Sequence, residues 1–274
     1  MDIKAFKMDG LGNDFVIIDN RQTITNLTKE QIIKICDRKF IGCDQLILIK
    51  KNDISDASLE FYNSDGGMSG ACGNGTRCIA DLLGKENNKK EIVLTTLSGK
   101  LKSNIVGEKI VSTEIGVAKT KWDEIPMSKE LNTNNLGIQI IDKNNNKFSG
   151  GTAVNVGNPH VVFFVNNNEN FEIKKIGPEI ENHSLFPEKC NVTLATVVNK
   201  ELIKVRVWER GAGLTKACGT AACATAVAAF KNKLVNNEVD IKFKEGFLNV
   251  KIDKTENIFM TGPVSEIEII DFEK

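Results

Sequence analysis

Cys72 and Cys218 stand in matching surroundings. One lies in Ala71-Cys72-Gly73-Asn74-Gly75, the other in Ala217-Cys218-Gly219-Thr220-Ala221. Each leads into an apolar run, Ile79-Ala80-Asp81-Leu82-Leu83 after the first and an Ala-rich stretch to Leu234 after the second. Glycine and asparagine suit a turn that opens a helix. A cysteine at that point meets unpaired backbone N–H groups and the positive end of the helix dipole, which lower a thiol's pKa. Such a thiol is a candidate base or nucleophile.

Two of them suit one task in particular. Like halves pack about an approximate two-fold axis, so the expectation is that both helix starts face one cleft. A racemase or epimerase without a cofactor takes a proton from one face of a carbon and returns one to the other. It needs one thiolate and one thiol, and their states swap with each turnover. Backbone N–H groups of Gly73, Asn74, Gly219 and Thr220 can point at one carboxylate and stabilise the charge that develops there. The glycines allow close approach of substrate to backbone.

One spacing recurs along the chain that carries these residues. The cysteines are 146 residues apart. Nearly the same shift takes Gly12-Asn13-Asp14-Phe15 onto Gly157-Asn158-Pro159-His160, and Leu59-Glu60-Phe61-Tyr62-Asn63 onto Val205-Arg206-Val207-Trp208-Glu209. Gly99 falls near Gly246 and Gly116 on Gly262. This is a duplicated half, too long a repeat in too few copies for a solenoid. The copies differ where an asymmetric substrate needs difference: Glu209 replaces Asn63, with Arg210 beside it, and His160 is matched with Asp14. Arg210 can grip a carboxylate in bidentate fashion and Glu209 can pair with an ammonium group. The amides of Asn13, Gln45, Asn63, Asn158 and Asn191 supply donors and acceptors for an amino-acid head group.

The periodicity predicts a strand at Phe15-Val16-Ile17-Ile18 and a helix from Thr28, its N-cap, to Lys39. Buried strands follow at Leu46–Ile49 and Leu59–Tyr62, then the Cys72 helix. Residues 91–117 read as hairpins turning at Ser98-Gly99, and Asp142–Lys147 and Asn166–Asn170 as polar turns. In the second half, Val161–Phe164 and Asn191–Val198 read as strands. Ile203–Val207 alternates apolar and basic residues, which makes one face buried and one wet. The helix from about Ala221 to Leu234 is apolar nearly all round, as for a helix wrapped by its own sheet. The fold class is α+β: two similar halves related by a pseudo-two-fold axis, each a largely antiparallel, barrel-like sheet around a central helix. The expected division is 1–118 plus 264–274 with Cys72, and 119–263 with Cys218.

Composition excludes several classes. The 274 residues suffice for two domains of ordinary size, and 41% hydrophobic content can fill their cores. Lys+Arg and Asp+Glu are both 36, so nothing argues for nucleic acid or an anionic membrane surface. Met1–Lys7 has no apolar core with a cleavage site, and no apolar run approaches the ~20 residues of a membrane helix. Seven cysteines at irregular spacing suggest reduced thiols in the cytoplasm. With no Cys-x-x-Cys pair and only His160 and His183, no metal site is expected.

Taken together, Lys7-Met8-Asp9-Gly10-Leu11-Gly12-Asn13-Asp14-Phe15, Asp44-Gln45, Phe61–Gly66, Cys72-Gly73-Asn74-Gly75-Thr76-Arg77-Cys78, Gly157–His160, Asn191-Val192, Glu209–Gly213 and Ala217–Thr220 resemble the diaminopimelate epimerase family. The motifs run in order along nearly the whole chain. The resemblance implies interconversion of LL- and meso-diaminopimelate without pyridoxal phosphate or metal, in the supply of lysine and peptidoglycan precursors. It implies Cys72 and Cys218 as the acid/base pair, with His160 and Glu209 orienting or tuning them. Substrate contacts are implied for Asn13, Gln45, Asn63, Gly73, Asn74, Asn158, Asn191, Glu209, Arg210, Gly219 and Thr220. It further implies a C-terminal strand returning to the first half, and a homodimer. The chain departs from the usual pattern at Ser69-Gly70-Ala71, Leu214, Lys216 and Ala221. Lys216, two residues before Cys218, either lowers that thiol's pKa or points to solvent.

Other thiols have a blander reading. Cysteine is among the most buried residue types, and Cys36, Cys78, Cys190 and Cys223 are assigned to core packing. Cys43, beside Asp44, stays open between core and function. His183 reads as a surface loop residue. The Gly-x-Gly at 10–12 precedes no Rossmann unit. Two other functions compete: a related cofactor-free isomerase of the proline racemase kind, and a non-enzymatic thiol protein that senses oxidation or stores metal.

Overall fold

A computed structural model describes residues 2–70, 72–141 and 147–273. The chain forms two compact units, one of residues 1–114 with 261–274, the other of residues 115–260. The turn expected at Asp142–Lys147 lies almost wholly outside the described residues.

The first unit contains β1 (Asp2–Asp9), β2 (Asp14–Asn20), α1 (Lys29–Cys36), β3 (Gln45–Lys50), β4 (Ala57–Asn63), β5 (Met68–Ser69), α2 (Gly73–Asn87), β6 (Glu91–Thr96), β7 (Gly99–Gly107) and β8 (Ile110–Val117). The second contains β9 (Ile138–Ile141), β10 (Lys147–Gly150), β11 (Thr152–Asn155), β12 (Pro159–Phe164), α3 (Ile173–Glu181), β13 (Asn191–Asn199), β14 (Leu202–Glu209), β15 (Gly213–Thr215), α4 (Gly219–Lys231), β16 (Glu238–Lys242) and β17 (Phe247–Ile252). After β18 (Asn257–Pro263), β19 (Glu268–Glu273) returns to the first unit and pairs antiparallel with β1, Asp2 opposite Glu273.

The duplication is repeated in the strand pairing. β2 and β3 run parallel, as do β12 and β13. β3–β4 and β13–β14 are antiparallel, and β4–β6 and β14–β16 are again parallel. Most pairings are antiparallel; these parallel steps recur at the same place in each unit. Each unit also carries a second, shorter helix, α1 or α3, beside the central α2 or α4.

Burial explains the apolar runs. Phe15 and Ile17 of β2 and Ile47 and Ile49 of β3 pack in one core with Ile79 and Leu83 of α2. Their neighbours Val16, Ile18, Leu46 and Leu48 face the other way, onto Ile32 and Ile35 of α1. Strands covered on both faces need no polar alternation. Thr28 caps α1 with Gln31 in a reciprocal pair, Gln31 N–H to Thr28 Oγ1 at 3.3 Å and Thr28 N–H to Gln31 Oε1 at 2.9 Å. In the second unit, Ile173, Ile176 and Ile180 of α3 pack with Val161, Phe163, Val192 and Leu194. α4 packs against β11, β12, β13, β16 and β17, and is buried from Ala221 to Ala229.

Candidate active site

Cys72 is the N-cap of α2, with extended φ −141° and ψ 113°. Cys218 is the N-cap of α4, at φ −139° and ψ 115°. The extended cap conformation turns the chain into the helix while leaving the first N–H groups unpaired along the axis. Cys72 is part-buried, and its sulfur accepts from the Gly75 N–H at 3.5 Å. Cys218 is buried, and its sulfur lies 3.4 Å from Thr220 Oγ1.

Amides gather around Cys72. Its Sγ lies 3.7 Å from Asn13 Oδ1, which also accepts from Asn74 Nδ2 at 3.2 Å. Gln45 and Asn63 form a separate pair, Gln45 Nε2 to Asn63 Oδ1 at 2.8 Å, on directly opposed residues of β3 and β4. Gln45 Oε1 is buried without a protein partner, an acceptor left over for something else.

Charged groups gather in the second unit. Burial, and then the Glu209 carboxylate, push the Cys218 thiol well above its ordinary range; Glu209 also hydrogen-bonds it. The helix start is therefore insufficient to lower this thiol's pKa, contrary to the general expectation for a capping cysteine. Lys216, two residues before Cys218, is exposed. His160 is fully buried and its pKa falls to about 3, first through desolvation and then through the Arg210 charge. Its Nε2 lies 2.8 Å from Asn158 Oδ1 and 3.5 Å from Asn191 Nδ2, and its Nδ1 is buried without a protein partner. Asn191 spans the site: Nδ2 donates to the Pro159 carbonyl at 3.1 Å and Oδ1 accepts the Arg210 N–H at 2.9 Å. The Arg210 guanidinium itself donates to the Glu188 carbonyl at 2.8 Å.

Register corrects one correspondence. Phe15 is paired with Gln45 in β2–β3, and His160 with Asn191 in β12–β13. His160 thus takes the place of Phe15, not of Asp14, because the offset at this strand is one residue shorter than at the cysteines.

Glu181 was not singled out in the sequence. It is buried, accepts from Trp208 Nε1 at 2.7 Å and from the Gly211 N–H at 3.1 Å, and so ties α3 to the Glu209–Gly211 turn. Gly177 admits Trp208 against the helix: a Cβ there would lie 2.5 Å from the indole. Trp208 in β14 and a glycine in an apolar segment were the available signals. Cys36, Cys78, Cys190 and Cys223 are buried as expected. Cys43 is buried too, with its sulfur 3.4 Å from that of Cys36.

Comparison with known proteins places this architecture first by fold. A Bacillus anthracis phenazine biosynthesis protein of the PhzF family superposes with a TM-score of 0.69 at 15% identity, covering 100% of both chains. A hydroxyproline epimerase from Agrobacterium vitis superposes at 0.70 with 10% identity, over 98% of this chain and 92% of that one. At such identities the likeness is one of fold, a two-part α+β architecture that carries isomerases among others. The family is fixed by sequence. The diaminopimelate epimerase model matches residues 5–121 and 152–267, one segment for each repeat. A diaminopimelate epimerase of Pelagibacter ubique is 68% identical over 271 residues, 99% of each chain. The chain belongs to the diaminopimelate epimerase family.

Proposed function

We propose that this chain epimerises 2,6-diaminopimelate at one α-carbon, interconverting the LL and meso forms, with Cys72 and Cys218 as its two acid/base groups. The observation that carries the reading is the repeated cysteine N-cap, with φ and ψ matching to within a few degrees, in a chain of this family. One thiolate removes the α-hydrogen as a proton, and the C–H electron pair moves onto the α-carbon and its carboxylate. The other thiol donates its S–H proton to the opposite face, leaving a thiolate behind. In the reverse direction the roles exchange. N–H groups at both helix starts, those of Gly73, Asn74, Gly219 and Thr220, serve the carboxylate.

Glu209 and His160 tune the thiols in this reading: a carboxylate hydrogen-bonded to Cys218, and a buried neutral imidazole whose Nδ1 is left for a hydrogen bond. Asn13, Gln45, Asn63, Asn74, Asn158, Asn191 and Arg210 hold the amino-acid groups. We further assign the division 1–118 plus 264–274 and 119–263 as the functional halves, a cytoplasmic location and a homodimer. The product feeds lysine and peptidoglycan precursors.

The test is incubation with LL-diaminopimelate in deuterium oxide, following α-deuterium and stereoisomer by mass spectrometry and chiral chromatography, with proline as the competing substrate. Native protein is expected to label and epimerise diaminopimelate alone. Cys72→Ala and Cys218→Ala should each lose at least ~10²- to 10⁴-fold in epimerisation. Native rates in both variants would overturn the two-thiol reaction.

A further inference from the structure

We propose that Asp44 is a positioning residue for Cys72, holding the Asn13 side-chain amide with its oxygen turned to the thiol. Asp44 lies in the Asp44-Gln45 motif, yet only Gln45 is assigned to substrate by the reading above. Its Oδ2 accepts from Asn13 Nδ2 at 2.9 Å and from the Asp14 N–H at 3.2 Å. Its Oδ1 accepts from Arg38 Nη2 at 2.5 Å, and the same guanidinium grips Asp14 at 2.6 and 2.8 Å. Lys7 completes this charged group, 3.9 Å from Asp14.

An amide can be turned either way round, and its neighbours decide which. A carboxylate only accepts, so the NH2 end of Asn13 must face Asp44. The other end is fixed from the opposite side. Buried Arg77, which only donates, reaches Asn74 Oδ1 at 3.0 Å. That turns Asn74 Nδ2 onto Asn13 Oδ1 at 3.2 Å. Two amides are thus threaded between an anion and a cation, and both orientations follow from the charges at the ends. Cys72 meets the oxygen of Asn13, not the nitrogen. An amide oxygen accepts an S–H and favours the protonated thiol, whereas an amide N–H would favour the thiolate. Asp9, the last residue of β1, is engaged instead with the Gly12 N–H at 2.8 Å.

This inference rests on Cys72 being an acid/base group, and its test needs no substrate. Alkylation of Cys72 by iodoacetamide is followed by peptide mass spectrometry across a pH series, in the full chain. Native protein, Asp44→Asn, Asn13→Ala and the double variant are compared, with folding checked by circular dichroism. Asp44→Asn removes the anion from the NH2 end of Asn13 and leaves only the Asn74 contact to orient the amide oxygen on the thiol, so the midpoint should fall by about one pH unit, a tenfold faster reaction at a fixed pH below it. On the Asn13→Ala background the same change should alter the rate less than about twofold, because the intermediary is gone. Asp44→Ala carries the same expectation should Asp44→Asn not fold. An unmoved midpoint in the folded single variant, or an equal shift without the Asn13 amide, would overturn the proposal. Full epimerisation by Cys72→Ala would instead overturn the proposed function and leave the alkylation result standing.

Discussion

The starts of α2 and α4 share one backbone and differ in almost everything that touches it. Cys72 is part-buried among amides, and Cys218 is buried beside Glu209. Further along α2, Asn74, Thr76, Arg77 and Asp81 are buried polar groups. The matching stretch of α4, Ala221-Ala222-Cys223-Ala224-Thr225, is small and nearly apolar. Duplication kept the part that places a sulfur at a helix end. The surroundings diverged, as the asymmetric substrate of the proposed function requires.

The largest test of this contrast is Glu209→Gln. Removing the carboxylate should lower the Cys218 pKa, because Glu209 raises it, while burial keeps part of the rise. Alkylation of Cys218 should then speed up at fixed pH even as epimerisation slows ~10²-fold, the scale of a lost acid/base partner. A Cys218 midpoint that does not move would remove the electrostatic difference between the halves.

His160 offers the next effect. Its folded pKa of about 3 lies below the ordinary 6.5, so the unfolded chain binds the extra proton between those values. The stability tied to neutral His160 is therefore full above pH 6.5 and is lost as pH falls towards 3. Urea unfolding at pH 7 and pH 5 should show the loss, and His160→Gln should flatten the slope. An unchanged slope would mean that the buried imidazole is not held neutral.

The smallest effect sharpens the packing side. Gly75 has no room for a methyl group: a Cβ there would lie 2.8 Å from Ile47 Cδ1 and 2.9 Å from Phe61 Cε1. Its counterpart in α4 is Ala221, fully buried. Gly75→Ala should cost about 1–3 kcal/mol by overpacking, although helix propensity alone favours alanine. Thermal unfolding decides, and a stabilised variant would show that the α2 contact is looser than this geometry.

Much of this was legible in the sequence, for identifiable reasons. The Cys-Gly helix starts could be read because capping is local, and the repeat because several motifs keep one spacing. The double-faced burial of β2 and β3 was announced by Val16-Ile17-Ile18 and Leu46-Ile47-Leu48-Ile49. The strand Asp2–Asp9 was not legible, because charges interrupt its pattern and its partner β19 lies over 250 residues away. A helix over Ile173–Glu181 is not legible either, since Gly177 and Pro178 both have low helix propensity. Tertiary packing overrules that reading: the glycine is where Trp208 rests. The Asn13–Asp44 contact joins residues 31 apart on the chain, and charge identity alone gave no hint of it.

The return of β19 to β1 has a consequence for how the molecule is made. Synthesis delivers β1 well before its partner β19, which leaves the ribosome only after all of residues 115–260. The early unit must therefore wait with the β19 flank of β1 unpaired until the later unit has been made.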